Sequence, residues 1–338
     1  MIRIGIVGLG FMGKMHLKCY RALKNVEVAA ICDVDEKKFK DTSGTVGNIE
    51  GAEAPLDLND IGLYADFDKM LTDADLDAIS ITLPTYMHAE YTIKVLQSGV
   101  NVLCEKPMAM NIKQCQQMIA AAKKSERILQ IGHCIRFWPE YAKAKEIIDS
   151  GEYGRVKAAT FQRLSLVPSW SWNNWLMDYK KSGGAILDMH IHDSDYVQYV
   201  FGTPKAVFTQ ATKGPSGGYD HIVTQYLYDD QVITAEGGWI MTTGFGFEMS
   251  FNIVLEKADI VFDCTRKPAF KVCPTEGDTF TPKVERGDGY SREIAHFVKA
   301  VAGQDVPAIT TPEESMNTLK IINAEEESAR TGNKVYLS

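Results

Sequence analysis

The sequence predicts an α/β protein in two parts. Residues 1–128 read as a doubly wound parallel sheet, and residues 129–338 as a second α/β domain built on a large open, mostly antiparallel sheet. Three observations carry this. Short apolar runs alternate with helical patterns of about 12 residues through the first third, the rhythm of a parallel sheet. Runs of period two, separated by turn residues, fill 205–263, as antiparallel strands do. A chain of 338 residues is also longer than one ordinary core organises.

The first run, residues 2–7, is short and apolar, as expected of a strand buried on both faces. Gly8-Leu9-Gly10-Phe11-Met12-Gly13 follows it and opens a helix with Met12, Met15, Cys19 and Leu23 on one side. A second run from Val26 ends at Asp33, 20 residues after Gly13. G-x-G-x-x-G in a strand–turn–helix–strand setting, with an acid at that distance, is the fingerprint of a dinucleotide-binding Rossmann domain. Gly8 permits the tight turn, Gly10 lets the backbone approach a pyrophosphate at the helix N-terminus, and Gly13 allows close helix–strand packing. The expected cofactor contacts at this turn are Gly8, Gly10, Phe11, Met12 and Gly13. Asp33 would accept hydrogen bonds from the adenosine ribose hydroxyls and repel a 2′-phosphate, which favours NAD over NADP. Lys37 and Lys38 nearby soften that repulsion.

Residues 42–62 lack periodicity and read as a long surface excursion. Strands are then expected at 77–83, 100–104 and 128–131, with helices at 85–97 and 112–124. Ligands of doubly wound sheets sit outside the carboxyl ends of the strands. Two such ends carry chemistry here, Thr82-Leu83-Pro84 with His88 just beyond, and Glu105-Lys106-Pro107. All of these except Pro107 are counted as cofactor contacts. Cys104 reads as core packing.

The second half opens at 133–139, where Arg136 is a candidate for a substrate contact or a structural ion pair. A helix is expected at 140–150 and a strand at 155–164. The stretch 166–177 holds Trp170, Trp172 and Trp175 beside Ser171, Asn173 and Asn174. Such a set suits sugar faces and hydroxyls, or equally a packed rim. From Ala185 the chain reads as a helix, and helical spacing puts Asp188, His192 and Asp195 in one row with His190 pointing elsewhere. Tyr290 begins a helix over 291–301, and 312–330 is a last helix with Thr311 placed to cap it and Pro312 in its first turn.

An imidazole flanked by carboxylates suits proton transfer near neutral pH. His192 is therefore the candidate acid/base, with Asp188 fixing its ring and favouring the protonated form. Lys106 is a positive charge that favours an ionised oxygen beside it. A formal net charge of -8 with no Lys/Arg run argues against nucleic acid as a partner. Seven cysteines without a CxxC pair fit a reducing compartment. No run of about 18 apolar residues and no cleavable apolar leader point to no membrane span and a cytoplasmic location.

The Rossmann fingerprint, then Glu105-Lys106-Pro107 at a strand end, then Gly183-Gly184-Ala185-x-x-Asp188-x-x-x-His192, resembles the Gfo/Idh/MocA family of oxidoreductases end to end. The resemblance implies a Rossmann domain before an α/β domain whose open sheet often mediates oligomerisation, here as a homodimer or homotetramer. It implies that Lys106 contacts both nicotinamide ribose and substrate, and that Asp188 and His192 form the proton-transfer site. It also places an arginine near the active site, for which Arg136 is the counterpart, and a polar group near Tyr290. Trp175 joins the substrate set, but Leu176 stands where many members carry an arginine.

The expectation is an NAD-dependent sugar or inositol dehydrogenase that oxidises a secondary hydroxyl of a polyol, inositol, sugar or sugar derivative to a ketone, or the reverse, without a metal. One alternative is a redox-neutral enzyme that recycles bound NAD through a transient 3-keto sugar to cleave or eliminate. A metal-dependent hydrolase using Asp188, His190, His192 and Asp193, and a redox-silent sensing protein, are further rivals.

Overall fold

The computed structural model describes residues 1–40 and 56–337, so most of the expected excursion at 42–62 lies outside the described residues. The chain divides into two compact units. The first takes in Met1–Cys134, Trp170–Trp175 and Gly289–Met316, and the second Ile135–Ser169, Leu176–Asp288 and Asn317–Ser338. The division therefore falls after Cys134 rather than after residue 128, and two later segments return to the first unit.

In the first unit, β1 (Ile2–Val7), β2 (Val26–Cys32), β3 (Gly62–Tyr64), β4 (Ala78–Ile81), β5 (Asn101–Glu105) and β6 (Leu129–Gly132) form one six-stranded sheet in the order β3-β2-β1-β4-β5-β6. All pairings are parallel. The order reverses between β1 and β4, and the strand ends at such a reversal are where doubly wound sheets bind ligands. The helix Phe67–Asp73 had no clear signal in the sequence. Asp66 caps it by accepting the Lys69 amide at 2.8 Å, a contact worth about 1 kcal/mol. Asn111 does the same for the helix Ile112–Ser125 through the Gln114 amide.

The core of this unit joins Ile4, Ile6 and Ile31 of the sheet to Leu17 and Tyr20 of the helix Phe11–Arg21. Ile294 and Phe297 of the helix Gly289–Val301 complete it. Each such side chain stabilises by about 1.5–3 kcal/mol when fully buried. Those two apolar residues are what return a helix from late in the chain to the first core.

In the second unit, β7 (Val156–Leu166), β8 (Ala206–Lys213), β9 (Tyr219–Leu227), β10 (Val232–Met241), β11 (Phe247–Leu255), β12 (Ala258–Asp263), β13 (Phe270–Pro274) and β14 (Val335–Tyr336) form an eight-stranded sheet. Its order is β13-β12-β11-β7-β10-β9-β8-β14. Only β7 and β10 pair in parallel among the described strands of this sheet. One face is packed. Tyr141, Phe161, Tyr196, Phe251 and Phe262 meet there in edge-to-face and tilted contacts, and residues 186–201 lie against β7, β9 and β10. The other face carries exposed Val223, Val232 and Val254. The last helix, Pro312–Thr331, begins with a reciprocal cap: the Glu314 amide donates to Thr311 Oγ1 at 3.2 Å, and the Thr311 amide to Glu314 Oε2 at 3.4 Å. No helix among the described residues is long and apolar enough to cross a membrane.

Candidate active site

The glycine turn after β1 is built by close approach. A Cβ on Gly13 would stand 1.9 Å from the Gly8 carbonyl oxygen, and one on Gly8, at φ +96°, would stand 2.8 Å from the Thr82 oxygen. Thr82 locks the same turn by donating from Oγ1 to the Gly8 and Val7 carbonyls. Space opens instead at Gly10, where a Cβ would meet nothing within 4 Å. The helix Phe11–Arg21 starts there with no side-chain cap, so the amides of its first turn are left for an anion. An open cradle over uncapped amides fits a dinucleotide pyrophosphate.

Asp33 stands just past the end of β2. Its Oδ2 accepts the Leu9 amide and the Lys38 ammonium, both at 2.7 Å, and its Oδ1 accepts the Asp35 amide at 2.9 Å. The carboxylate therefore ties the glycine turn to a lysine. The Lys38 ammonium also lies 5.7 Å from the ring centroid of Trp172, within cation–π range. Trp172 and the half-buried Trp175 belong to the short segment grouped with the first unit.

At the ends of β4 and β5, Thr82, Leu83, Pro84 and Lys106 are half-buried, while Glu105 and His88 are buried. The ring nitrogens of His88 lie 2.7 Å from the Pro107 carbonyl oxygen and 2.8 Å from that of Leu83. His88 thus sits buried between the two strand ends, with one ring nitrogen facing each carbonyl. Burial, the largest influence, pushes its ring below the usual histidine range. Tyr290 packs on the rim of the first core.

The second unit carries the other half of the candidate set. Gly183 and Gly184 both take left-handed conformations, at φ +76° and +73°, which few other residues adopt without strain. They end the short helix Tyr179–Ser182 and start a π-helical turn, Ile186–His190, which runs into the helix Ile191–Phe201. Inserted π turns frequently mark functional positions. Among the described residues 182–198, Asp188 and His192 are the two that are not fully buried. They lie four positions apart on adjoining turns.

Their neighbours are committed elsewhere. Asp195, expected in the same row, is buried and accepts two hydrogen bonds of 2.8 Å from Arg136 and one of 2.8 Å from Thr318. Arg136 is itself buried, stacked 4.5 Å over Tyr199. Of its two expected roles the structure shows the ion pair. Asp193 pairs with Arg163 at 2.9 Å. His190 is buried, with Nε2 3.2 Å from the Glu325 carboxylate but without hydrogen-bond alignment to that oxygen. Asp193 and His190 therefore face different partners, and with Asp188 and His192 they do not converge as a metal-ligand set. The buried Glu325, which also accepts from the Ser194 hydroxyl at 3.0 Å, was not foreseen, nor was His16 beneath Glu105. A lone histidine in the helix after the glycine turn gives no sign of its partner 89 residues away.

The chain is similar to known proteins along most of its length. Residues 2–133 match the model of an oxidoreductase family with an NAD-binding Rossmann fold, and residues 141–261 match the C-terminal domain model of the same family. Myo-inositol 2-dehydrogenase of Thermotoga maritima is 25% identical over 331 residues, covering 94% of this chain and 93% of its own. scyllo-Inositol 2-dehydrogenase (NAD(+)) of Bacillus subtilis is 24% identical over 349 residues, covering 99% and 96%. The aldose-aldose oxidoreductase of Caulobacter crescentus superposes with a TM-score of 0.82 over 99% of each chain at 21% identity. With both of its family models matched in order along the sequence, this chain belongs to the Gfo/Idh/MocA oxidoreductases.

Proposed function

We propose that this protein is an NAD-dependent dehydrogenase that oxidises a secondary hydroxyl of an inositol, sugar or related polyol to a ketone, or runs the reverse reduction. The observation that carries the reading is that Asp188 and His192 alone are partly exposed along the otherwise buried segment 182–198. It stands in a chain whose first unit has an uncapped helix start and glycine cradle suited to the coenzyme.

The nicotinamide ring, when bound, supplies the hydride acceptor. The chain's residues supply the rest. His192 takes the hydroxyl proton, a task suited to a side chain with an ordinary pKa of about 6.5. Asp188 orients the ring and favours the imidazolium that results. The Lys106 ammonium favours the ionised oxygen by its charge. Thr82, Leu83, Pro84 and Glu105 shape the coenzyme end, and Asp33 favours NAD over NADP through the ribose hydroxyls. Trp172 and Trp175 offer aromatic faces to a sugar or to the coenzyme. The exposed valines on the second sheet support a homo-oligomer formed through that face.

The test is absorbance at the reduced-nicotinamide band, followed with NAD over a panel of inositols, hexoses, pentoses and nucleotide sugars. A rise with one class identifies the substrate. Conversion of a sugar with no net reduced coenzyme points instead to the redox-neutral route. No binding of NAD or NADP at all overturns the reading.

A further inference from the structure

Beneath Glu105 a chain of buried polar side chains crosses the first unit. His16, on the helix Phe11–Arg21, lies with Nε2 3.0 Å from Glu105 Oε1 and Nδ1 3.1 Å from Ser80 Oγ. Ser80, in β4, lies 2.8 Å from the hydroxyl of Tyr20, one turn further along the same helix. Glu105 Oε2 in turn accepts the backbone amide of Lys106 at 3.2 Å. His16, Ser80 and Tyr20 are fully buried and Glu105 almost so.

The direction of each hydrogen bond follows from charge. Burial pushes the Tyr20 phenol well above its usual range, so it keeps its proton and is available as a donor. An ionised Glu105 only accepts, so His16 Nε2 must carry the hydrogen that faces it. Nδ1 is then the acceptor, and the Ser80 hydroxyl donates to it while accepting from Tyr20. Every donor has one acceptor, and the sequence of bonds ends on the carboxylate. Such a chain costs little when complete and is expensive to break, because any member left unpaired is buried.

We infer that His16 is a positioning residue: through the Tyr20–Ser80–His16–Glu105 chain it holds Glu105 as a carboxylate of fixed orientation at the strand end that carries Lys106. The inference rests on the proposed coenzyme reading. A carboxylate fixed at the carboxyl end of β5 accepts from a ribose hydroxyl more strongly when ionised than when protonated. Burial acts most strongly on Glu105 and pushes its pKa up. The hydrogen bond from His16, with the Lys106 charge adding to it, outweighs burial and holds it below the usual carboxylate range. Cys104, the other titratable group beside it, is a buried thiol pushed up by burial and stays neutral. Taking His16 away leaves burial as the dominant influence, so Glu105 would take up a proton nearer neutrality.

Three variants test this: His16→Leu removes the donor, His16→Gln returns an N–H at the reach of Nε2, and Tyr20→Phe removes only the far end. NAD⁺ affinity is measured by calorimetry across pH 5–8, as a range of about three units around the histidine value. In wild type, affinity should vary little over the range. His16→Leu should lose NAD⁺ affinity as pH falls, by about tenfold at the acid end, the size of one lost charge-assisted hydrogen bond. His16→Gln should recover most of that loss, and Tyr20→Phe should show a smaller version of it. A purely structural role would lower affinity equally at every pH and would not be rescued by glutamine. In the coenzyme-free wild type, nitrogen NMR should show the His16 hydrogen on Nε2, and a hydrogen on Nδ1 alone would overturn the inference. So would a well-folded His16→Leu protein with the affinity and pH profile of wild type. If the wild type binds no nicotinamide nucleotide, the functional reading fails first and takes the positioning role with it.

Discussion

The Lys38 ammonium and the Leu9 amide share one oxygen of Asp33, each at 2.7 Å. Asp33 is thus a strut of the glycine turn with a cation against it, and in the proposed reading it is also the group that selects the coenzyme. Asp33→Ala should weaken NAD and improve the NADP:NAD affinity ratio, and should also lower the melting temperature because the Leu9 amide loses its acceptor. Lys38→Met should weaken NADP more than NAD by about tenfold, the loss of one charge-assisted contact. Titration of both coenzymes by fluorescence checks both statements, and an unchanged ratio in both variants would remove Asp33 and Lys38 from coenzyme choice.

The two histidines of the π-helical segment should separate cleanly on mutation. His192→Ala is expected to cut turnover by about 10²–10⁴ while leaving NAD affinity and melting temperature near wild type. His190→Ala removes the buried ring that lies 3.2 Å from the Glu325 carboxylate, which keeps the Ser194 donor, and should lower the melting temperature. Its residual turnover per folded molecule should stay well above that of His192→Ala. The reverse pattern would name His190 as the acid/base.

Arg136 and Asp195 form the strongest internal ion pair of the candidate set, buried and joined by two hydrogen bonds. Asp195→Ala strands the guanidinium and should cost about 3–5 kcal/mol, read as a fall in the denaturation midpoint. A purely structural pair should leave the Michaelis constant of the folded fraction nearly unchanged, and a raised one would restore Arg136 to the substrate set.

That pair also shows where sequence reasoning stops. The glycine turn, the strand ends and the D-x-x-x-H spacing were legible because each is local: a turn, a helix start and a helical face are written within a dozen residues. Asp195 was placed in a row with Asp188 and His192 by regular helical spacing, but the π turn at Ile186–His190 shifts the register that such spacing assumes. Arg136 gave no hint of a partner 59 residues away. Likewise the helix Gly289–Val301 reads as amphipathic from its sequence, yet nothing local says that its apolar face closes the first core rather than the second.

Acid should destabilise the protein in two steps. Burial lowers the His88 ring from the ordinary value of 6.5, so the unfolded chain binds a proton there before the folded one does. Stability contributed by the neutral ring is present above that ordinary value and is lost as pH falls toward the folded one. Glu105, held below the 4.5 of a solvated glutamate, acts in the same direction at lower pH. Melting temperature should therefore decline from about pH 6.5 downward, and the first step should shrink in His88→Asn. A melting temperature that rises on acidification through this range would contradict the assignment.

The last prediction concerns the outer face of the second sheet. Val223 of β9, Val232 of β10 and Val254 of β11 are 45%, 60% and 39% exposed. Register places Val232 opposite Ala158 of β7, and Val254 opposite the same residue from the other side. Val232 and Val254 therefore flank Ala158 on a face that no described helix covers, with Val223 further along β9 opposite Glu236, and apolar groups on a flat sheet gain about 25 cal/mol per Å² when a second surface removes them from water. Beside them Glu236 is held by His221 at 2.9 Å and by Gln162 at 2.9 Å, which keeps its charge from facing a partner unpaired. Val232→Glu together with Val254→Glu should lower the mass measured by light scattering from that of an oligomer to that of a single chain. NAD affinity should be unchanged, because both positions lie in the second unit and the coenzyme residues in the first. A wild-type protein that elutes as a single chain at micromolar concentration would sink the oligomer reading while leaving the dehydrogenase reading intact.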